Sequence, residues 1–460
     1  MALEPYFTAG DSAKLNSLYW LIENMEANYF VSYHIEDSLG NIYSFDPSKY
    51  ENYLQLKHHR DSIEQKVGNL VYEPDTFIVD YECVTKDFLI NNLELACRSV
   101  KKYPWAKNYS AETFNEWILP YRCANEKIEP FRKHFYNKFG KSIDTVQSEN
   151  PLLIAKILNG LINSEIDYSD TYNISANIQP VDTLEKRGCG NFFDIAVYKV
   201  KALRSFGIAA ALDYVPYFAD TNYGCAWATA FDNEGGEYYL FPRTTVKNIF
   251  KPGRIPKMYR RTFKTLDNSL RAIKNVKTNT PPFLGHYDYY DITNSLETFD
   301  VSVATDDDTT RFVYLAVFND GEWHPVDWAE TDSTGVATFH KITPGTVYLP
   351  LKMVKAKQYR LGFPFLLETG GMKHLLIPDY KHPVTVTLTK TAPYTNLAIA
   401  GYYTLYIWDG NWNALYRFVC TSPELLLDLP QNALFLLAND DLDFDERIFI
   451  PGPAGEQIFK

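Results

Sequence analysis

Apolar residues recur at helical spacing through much of the first half of the chain, and from Leu284 onward the period switches to two. Asp11 is placed to cap a helix from Ser12 to Met25, with Leu15, Leu18, Tyr19 and Ile22 on one face. Residues 30–45 alternate and carry Leu39-Gly40-Asn41, a hairpin signal. Helical spacing returns from Asp87 to Tyr103, ending before Pro104, and Ser110 opens a helix that stops at Pro120. Phe114, Trp117, Ile118 and Tyr121 form an aromatic stripe expected in a core, and Arg122 with Glu126 is expected as a helix-side ion pair. Residues 1–145 therefore read as mainly helical with one short strand insertion.

The stretch from Arg187 to Pro242 has a different grammar. Gly188 and Gly190 allow a sharp turn into a helix whose Phe193, Ala196, Val197, Val200 and Leu203 recur at helical spacing. Two short segments rich in β-branched and aromatic residues follow, Ala211 to Val215 and Gly224 to Phe231. An Asp-Asn-Glu-Gly-Gly turn at 232–236 then leads to a third, ending at Pro242. The expectation is a buried helix packed on an antiparallel hairpin. Residues 151–162 supply a further apolar helix before it, and residues 250–282 are basic and punctuated by proline, expected as a connector or a helix solvated on one face.

After Leu284, strands are expected at 300–303, 312–318, around Trp323, and at 336–339, 346–349 and 383–388, with turn residues between them. The hairpin at 317–326 is echoed at 407–415: in each, a strand ends at a glycine turn and a tryptophan opens the next strand. Two related β modules is the economical reading. Trp323, Trp328, Trp408 and Trp412 could stack on a ligand, although cross-strand packing explains them equally well.

A helix entered through a glycine turn and packed on a small sheet is the layout of a thiol catalyst, because a helix N-terminus lowers a cysteine's pKa and a neighbouring strand can deliver a histidine. Leu203-Arg204-Ser205-Phe206-Gly207-Ile208-Ala209 and Cys225-Ala226-Trp227 resemble the transglutaminase-like superfamily, whose core is papain-like. Phe114 to Arg122, with Glu126 and Arg132, resembles a segment of exported, multidomain transglutaminase-like proteins of gut bacteria that degrade polysaccharides. The resemblance implies a nucleophilic cysteine about twelve positions before Arg204, a histidine two before Trp227, and an aspartate at the end of the following strand. This chain has Phe192, Cys225 and Pro242 there, so all three catalytic positions are substituted. A local insertion would bring Cys189 to the helix entrance; the alternative is a loop cysteine. His286 and His340 would be its candidate bases. Loss of such a triad costs on the order of 10⁶ in rate, about 8 kcal/mol of transition-state stabilisation.

Composition narrows the partners. A net charge of −12 over 460 residues argues against nucleic acid or an anionic membrane surface. Aromatic residues reach 15%, with 34 tyrosines, which serve β cores and sugar-stacking surfaces alike. Six cysteines show no CxxC pair and no metal-ligand spacing, so thiols rather than disulfides are expected, with no metal and no cofactor. No apolar run approaches a membrane span, and the first residues carry no leader pattern. The resemblance implies export to the periplasm or cell surface with the signal segment removed; a cytoplasmic location is the alternative.

The expected fold is α+β: a mainly helical region (1–145), a transglutaminase-like core and connector (146–282), a β-sandwich module (283–392) and a second β module (393–460). The expected function is non-catalytic binding or assembly in envelope carbohydrate or peptide handling, with Phe193, Tyr223 and Trp227 lining the cleft and a peptide, protein or glycan as ligand. The rival is a cysteine-dependent amidase, peptidase or transglutaminase using Cys189.

Overall fold

The computed structural model describes residues 11–242, 249–274, 281–305, 310–354, 357–439 and 446–460. The first helix, Ser12–Glu23, starts where Asp11 accepts a hydrogen bond from the Lys14 amide at 3.2 Å. The hairpin signal is realised as Tyr29–Glu36 paired with Ile42–Tyr43. The first strand also pairs with Val71–Val79, making a three-stranded sheet, and a helix, Tyr53–Val67, lies between the outer strands. The region thus holds more strand than its sequence pattern predicts. Lys86–Lys102 is the helix expected before Pro104.

Residues 120–130 are not helical, so Arg122 and Glu126 do not pair along a helix side. The Arg122 guanidinium instead forks onto buried Asp80, with Nε donating to Oδ2 at 3.0 Å, and also donates to the Glu126 carbonyl. The Glu126 carboxylate accepts from the amides of Cys123 and Ala124 at 2.9 and 2.8 Å and lies 3.5 Å from Lys201. Arg132 and Arg204, both buried, donate to main-chain carbonyls: Arg132 to Ile118, Leu119 and Arg204, and Arg204 to Trp117, Arg122 and Ala210. These bonds satisfy the carbonyls of an irregular buried segment and fasten it to the helix that carries Arg204.

That helix, Phe192–Ser205, is almost wholly buried and lies against a five-stranded antiparallel sheet. The sheet order is Tyr289–Asp291, Tyr259–Arg261, Ala210–Val215, Cys225–Phe231, Glu237–Leu240. The first of these strands lies beyond residue 282, and the second comes from the basic stretch read as a connector. Three of its cations are paired with acidic side chains, while Lys264 is exposed. Lys257 sits between Asp291 (2.6 Å) and Asp327 (3.1 Å), Arg260 binds Asp213 (2.7 Å), and Arg261 binds Asp288 (2.6 Å). Desolvating these cations requires acidic partners, which arrive from distant parts of the chain.

The remainder is β-rich. Phe299–Ala304 pairs with Val336–Ile342, and a six-stranded sheet built around Phe312–Asn319, Glu322–Glu330 and Thr346–Val354 faces it across Val301, Val313, Leu315, Val326, Phe339 and Tyr348. A last five-stranded sheet holds Tyr402–Trp408, Trp412–Val419, Phe435–Asn439, Ile448–Pro451 and Gln457–Phe459. Asp379–Leu388 pairs with Leu425–Gln431 in a separate two-stranded sheet, whose Val386, Leu388 and Leu429 share a core with Tyr403, Leu405 and Phe435 of the five-stranded one. The two echoed hairpins pack on each other: Trp323 and Trp408 have ring centroids 5.4 Å apart, Trp408 and Trp412 5.0 Å, and Phe318 touches both Trp323 and Trp412. The chain is α+β with a C-terminal β-rich region.

Candidate functional site

The entrance to the central helix is built by local chemistry. Gly188, at φ +69°, ends the short helix Val181–Arg187 in the left-handed region, where a side chain would be strained. A Cβ at Gly190 would lie 2.5 Å from the Leu184 side chain, so the chain turns there only without one. Asn191 caps the helix, accepting from the Asp194 amide at 2.9 Å, while Asp194 accepts from the Asn191 amide at 3.2 Å and the Gln179 amide at 2.8 Å. Burial pushes the Asp194 carboxyl up to about 6, against those two N–H bonds.

The first helical residue is Phe192. Its ring stacks on Tyr168 with centroids 4.2 Å apart, and the residue is 7% exposed. Across from it, Cys225 opens its strand opposite Val215 and is 1% exposed; burial pushes its thiol well above the ordinary range. Pro242 is buried just beyond the strand Glu237–Leu240. Cys189 is half-buried on a two-residue strand in parallel pairing with Asp167–Tyr168, and it does not line the cleft described below. Neither does either candidate base. His286 is held by the Tyr29 hydroxyl at 3.1 Å beside the N-terminal sheet, and exposed His340 lies 2.9 Å from Asp300.

A cleft of about 760 Å³ opens at this helix end. Its walls are Tyr168, Asp170, Asn173, Phe192 and Phe193 on the helix side, and Pro216, Tyr223, Gly224 and Cys225 from the hairpin loop. Tyr53, Leu54 and Lys57 close it from the N-terminal region, and Asp320 from a turn of the β-rich region. Phe193 (38%) and Tyr223 (41%) are exposed within it. Trp227 is not in the cleft. It stands two residues further along the strand, about 7 Å on, fully buried beneath Tyr239, Phe241 and Phe250.

Sequence reasoning missed Tyr53, Lys57, Asp170 and Asn173. The helix Tyr53–Val67 buries only Leu56, so its apolar pattern gave no sign of a packed face; the one local signal was Asn52 before it, which caps it through the Gln55 amide. Asp170 accepts from the Tyr53 amide at 3.2 Å and so ties this helix to the rim. Of the four tryptophans of the β-rich region, Trp323 and Trp408 are buried against each other, and half-buried Trp412 packs on Trp408 and Phe318. Trp328 differs: it lines a second cavity of about 440 Å³ with Lys257, Tyr290, Asp291, Asp327 and His340.

Among the described residues no group of three or more His, Cys, Asp and Glu side chains is placed to hold a metal ion, and no helix is long and apolar enough to cross a membrane. All six cysteines are free thiols. No protein-family model matches the chain, and no curated protein matches it. Among solved structures, that of a "putative protease" from Parabacteroides distasonis ATCC 8503 shares 13% identity, over 38% of this chain and 29% of that one, with a TM-score of 0.20. The match spans under a third of that protein's length and carries no argument about fold or activity.

Proposed function

We propose that this chain is a non-catalytic protein with a transglutaminase-like core, whose cleft at the Phe192 end of the central helix binds a peptide or glycan during handling at the cell envelope. The observation that carries the reading is the pairing of Phe192 and Cys225 at that cleft: an aromatic ring at the helix entrance and a buried, protonated thiol opposite it. A phenyl ring offers no nucleophile, and a buried neutral thiol offers no general base. The helix packed on an antiparallel hairpin, entered through Gly188 and Gly190, supports the core assignment. Cys189, on which an amidase would depend, does not line the cleft. What remains is a surface of aromatic rings rimmed by polar and charged side chains, among them Lys57, Asn173, Asp170 and Asp320, suited to holding a ligand. The test is to titrate the protein with short-peptide and oligosaccharide libraries and compare it with Phe193→Ala. The reading expects binding that this substitution weakens at least tenfold; turnover of any library member would overturn it.

A second reading rests on Trp328, whose cavity combines an aromatic ring with Asp291, Asp327 and Tyr290, groups suited to a neutral sugar. Glycan binding abolished by Trp328→Ala and untouched by Phe193→Ala would favour it.

A further inference from the structure

Beside the main cleft, and sharing Asn222 and Tyr223 with it, lies a smaller cavity of about 360 Å³. Two buried guanidiniums line it. Arg254 binds Asp220 through Nε at 3.1 Å and Nη2 at 3.0 Å. Arg447 donates from Nη1 to the Asn222 side chain at 2.8 Å, and from Nη2 to the main-chain oxygens of Ala219 and of Lys460, the latter at 3.0 Å. Neither pattern is complete. Nη1 of Arg254, Nε of Arg447 and Oδ1 of Asp220 are buried with no hydrogen-bond partner among the described residues.

Unpaired buried polar atoms on residues lining one cavity call for an occupant, since a buried donor or acceptor without a bond carries its full desolvation penalty, larger when the group is charged. The charges state its sign. Lys251 lies 2.5 Å from the same Asp220, so two cations share that one carboxylate, and Arg447 lines the same cavity. Burial holds the Arg447 guanidinium down, to about 10. An occupant that met these groups would be an anion with an adjacent N–H or O–H for Asp220.

We propose that this cavity is a subsite for the terminal carboxylate of a peptide whose preceding residues lie in the main cleft; the proposal rests on the binding function argued above. The carboxylate bonds Arg254 and Arg447, and the adjacent main-chain N–H serves Asp220. The rest of the lining decides between a peptide and an acidic sugar. Ala392, Pro393 and Tyr394 give an apolar wall for one side chain. A pyranose would set most of its hydroxyls against that wall unpaired.

The experiment is calorimetric titration of the full chain with an N-acetylated tetrapeptide, its C-terminal amide and glucuronic acid. The free acid is expected to bind at least tenfold more tightly than the amide, and glucuronic acid not to bind. Arg254→Gln should erase the difference between acid and amide. Because a buried arginine can be needed for folding, Tyr394→Glu is the companion: Tyr394 is 88% exposed, so the variant folds, and a negative charge at the rim should weaken the acid alone. Equal binding of acid and amide, with Phe193→Ala still weakening both, would overturn the subsite and leave the cleft reading standing. Binding of glucuronic acid in preference to the peptide, or of no anion at all, would overturn the subsite as well.

Discussion

The ring of Phe192 lies on the ring of Tyr168, 4.2 Å between centroids and 28° from parallel, at the first turn of the most buried helix in the described chain. A helix N-terminus is where backbone N–H groups and the helix dipole stabilise an anion, and here that position is sealed by two aromatic faces. The stack closes one wall of the cleft and completes the apolar core beneath it. Phe192→Ala should cost about 3 kcal/mol, read from urea unfolding followed by circular dichroism, through lost burial and the cavity left under Tyr168. A loss below about 1 kcal/mol would mean the ring is not packed as described.

Arg204 is a structural cation. It donates to the carbonyls of Trp117, Arg122 and Ala210, so Arg204→Met leaves three buried acceptors unpaired. The expected loss is about 3 kcal/mol or more. Arg204→Lys should rescue little of it, because one ammonium cannot reproduce the planar fork that spans these carbonyls.

Lys199 gives stability a pH dependence. Its ammonium is buried against the side-chain oxygens of Asn159 and Asn163 and the Phe241 carbonyl, without a carboxylate, and burial lowers its pKa to about 7. The unfolded chain keeps that proton to about 10.4. Between the two values the unfolded state binds more protons, so the Lys199 contribution raises stability as pH climbs from about 7 toward 10, by at most about 5 kcal/mol. In Lys199→Met, the plot of unfolding free energy against pH should lose that rise; an unchanged slope would show that the lysine stays charged in the folded protein.

The tryptophan cluster joins two hairpins that are far apart in sequence. Trp408→Ala removes a ring in contact with both Trp323 and Trp412, and should cost about 3–5 kcal/mol in thermal or urea unfolding. Sugar ligands should not protect Trp408 from this loss, since its ring faces other rings.

Much of the core was legible because its signals are local. Phe193 to Leu203 repeat at helical spacing, Gly188 and Gly190 mark the turn, and the strand at 225–231 is followed by its own turn residues, so the helix and the hairpin could both be read. What escaped depends on partners remote in sequence. Arg122 was paired with Glu126 because they are four apart, while its carboxylate partner, Asp80, is forty-two residues away. Lys257, Arg260 and Arg261 read as a solvated basic stretch because Asp327, Asp213 and Asp288 reach them only through folding. Trp227 lies on the cleft strand, and its sequence position does not reveal that Phe241 and Phe250 cover it. For the tryptophans of the echoed hairpins the sequence supports ligand stacking and cross-strand packing equally, and the contact that distinguishes them, Trp323 on Trp408, joins hairpins far apart in the chain.

The central claim, a cleft without catalytic chemistry, is tested most directly by thiol reactivity: iodoacetamide labelling of the native protein at pH 6, with each cysteine followed by mass spectrometry. Burial holds Cys225 protonated and shielded, and Cys189 is half-buried on the strand before the helix and does not line the cleft, so both should label slowly, with Cys225 the slower. Rapid, selective labelling of Cys189 would contradict the account, since it would reveal an activated thiolate and with it a working nucleophile.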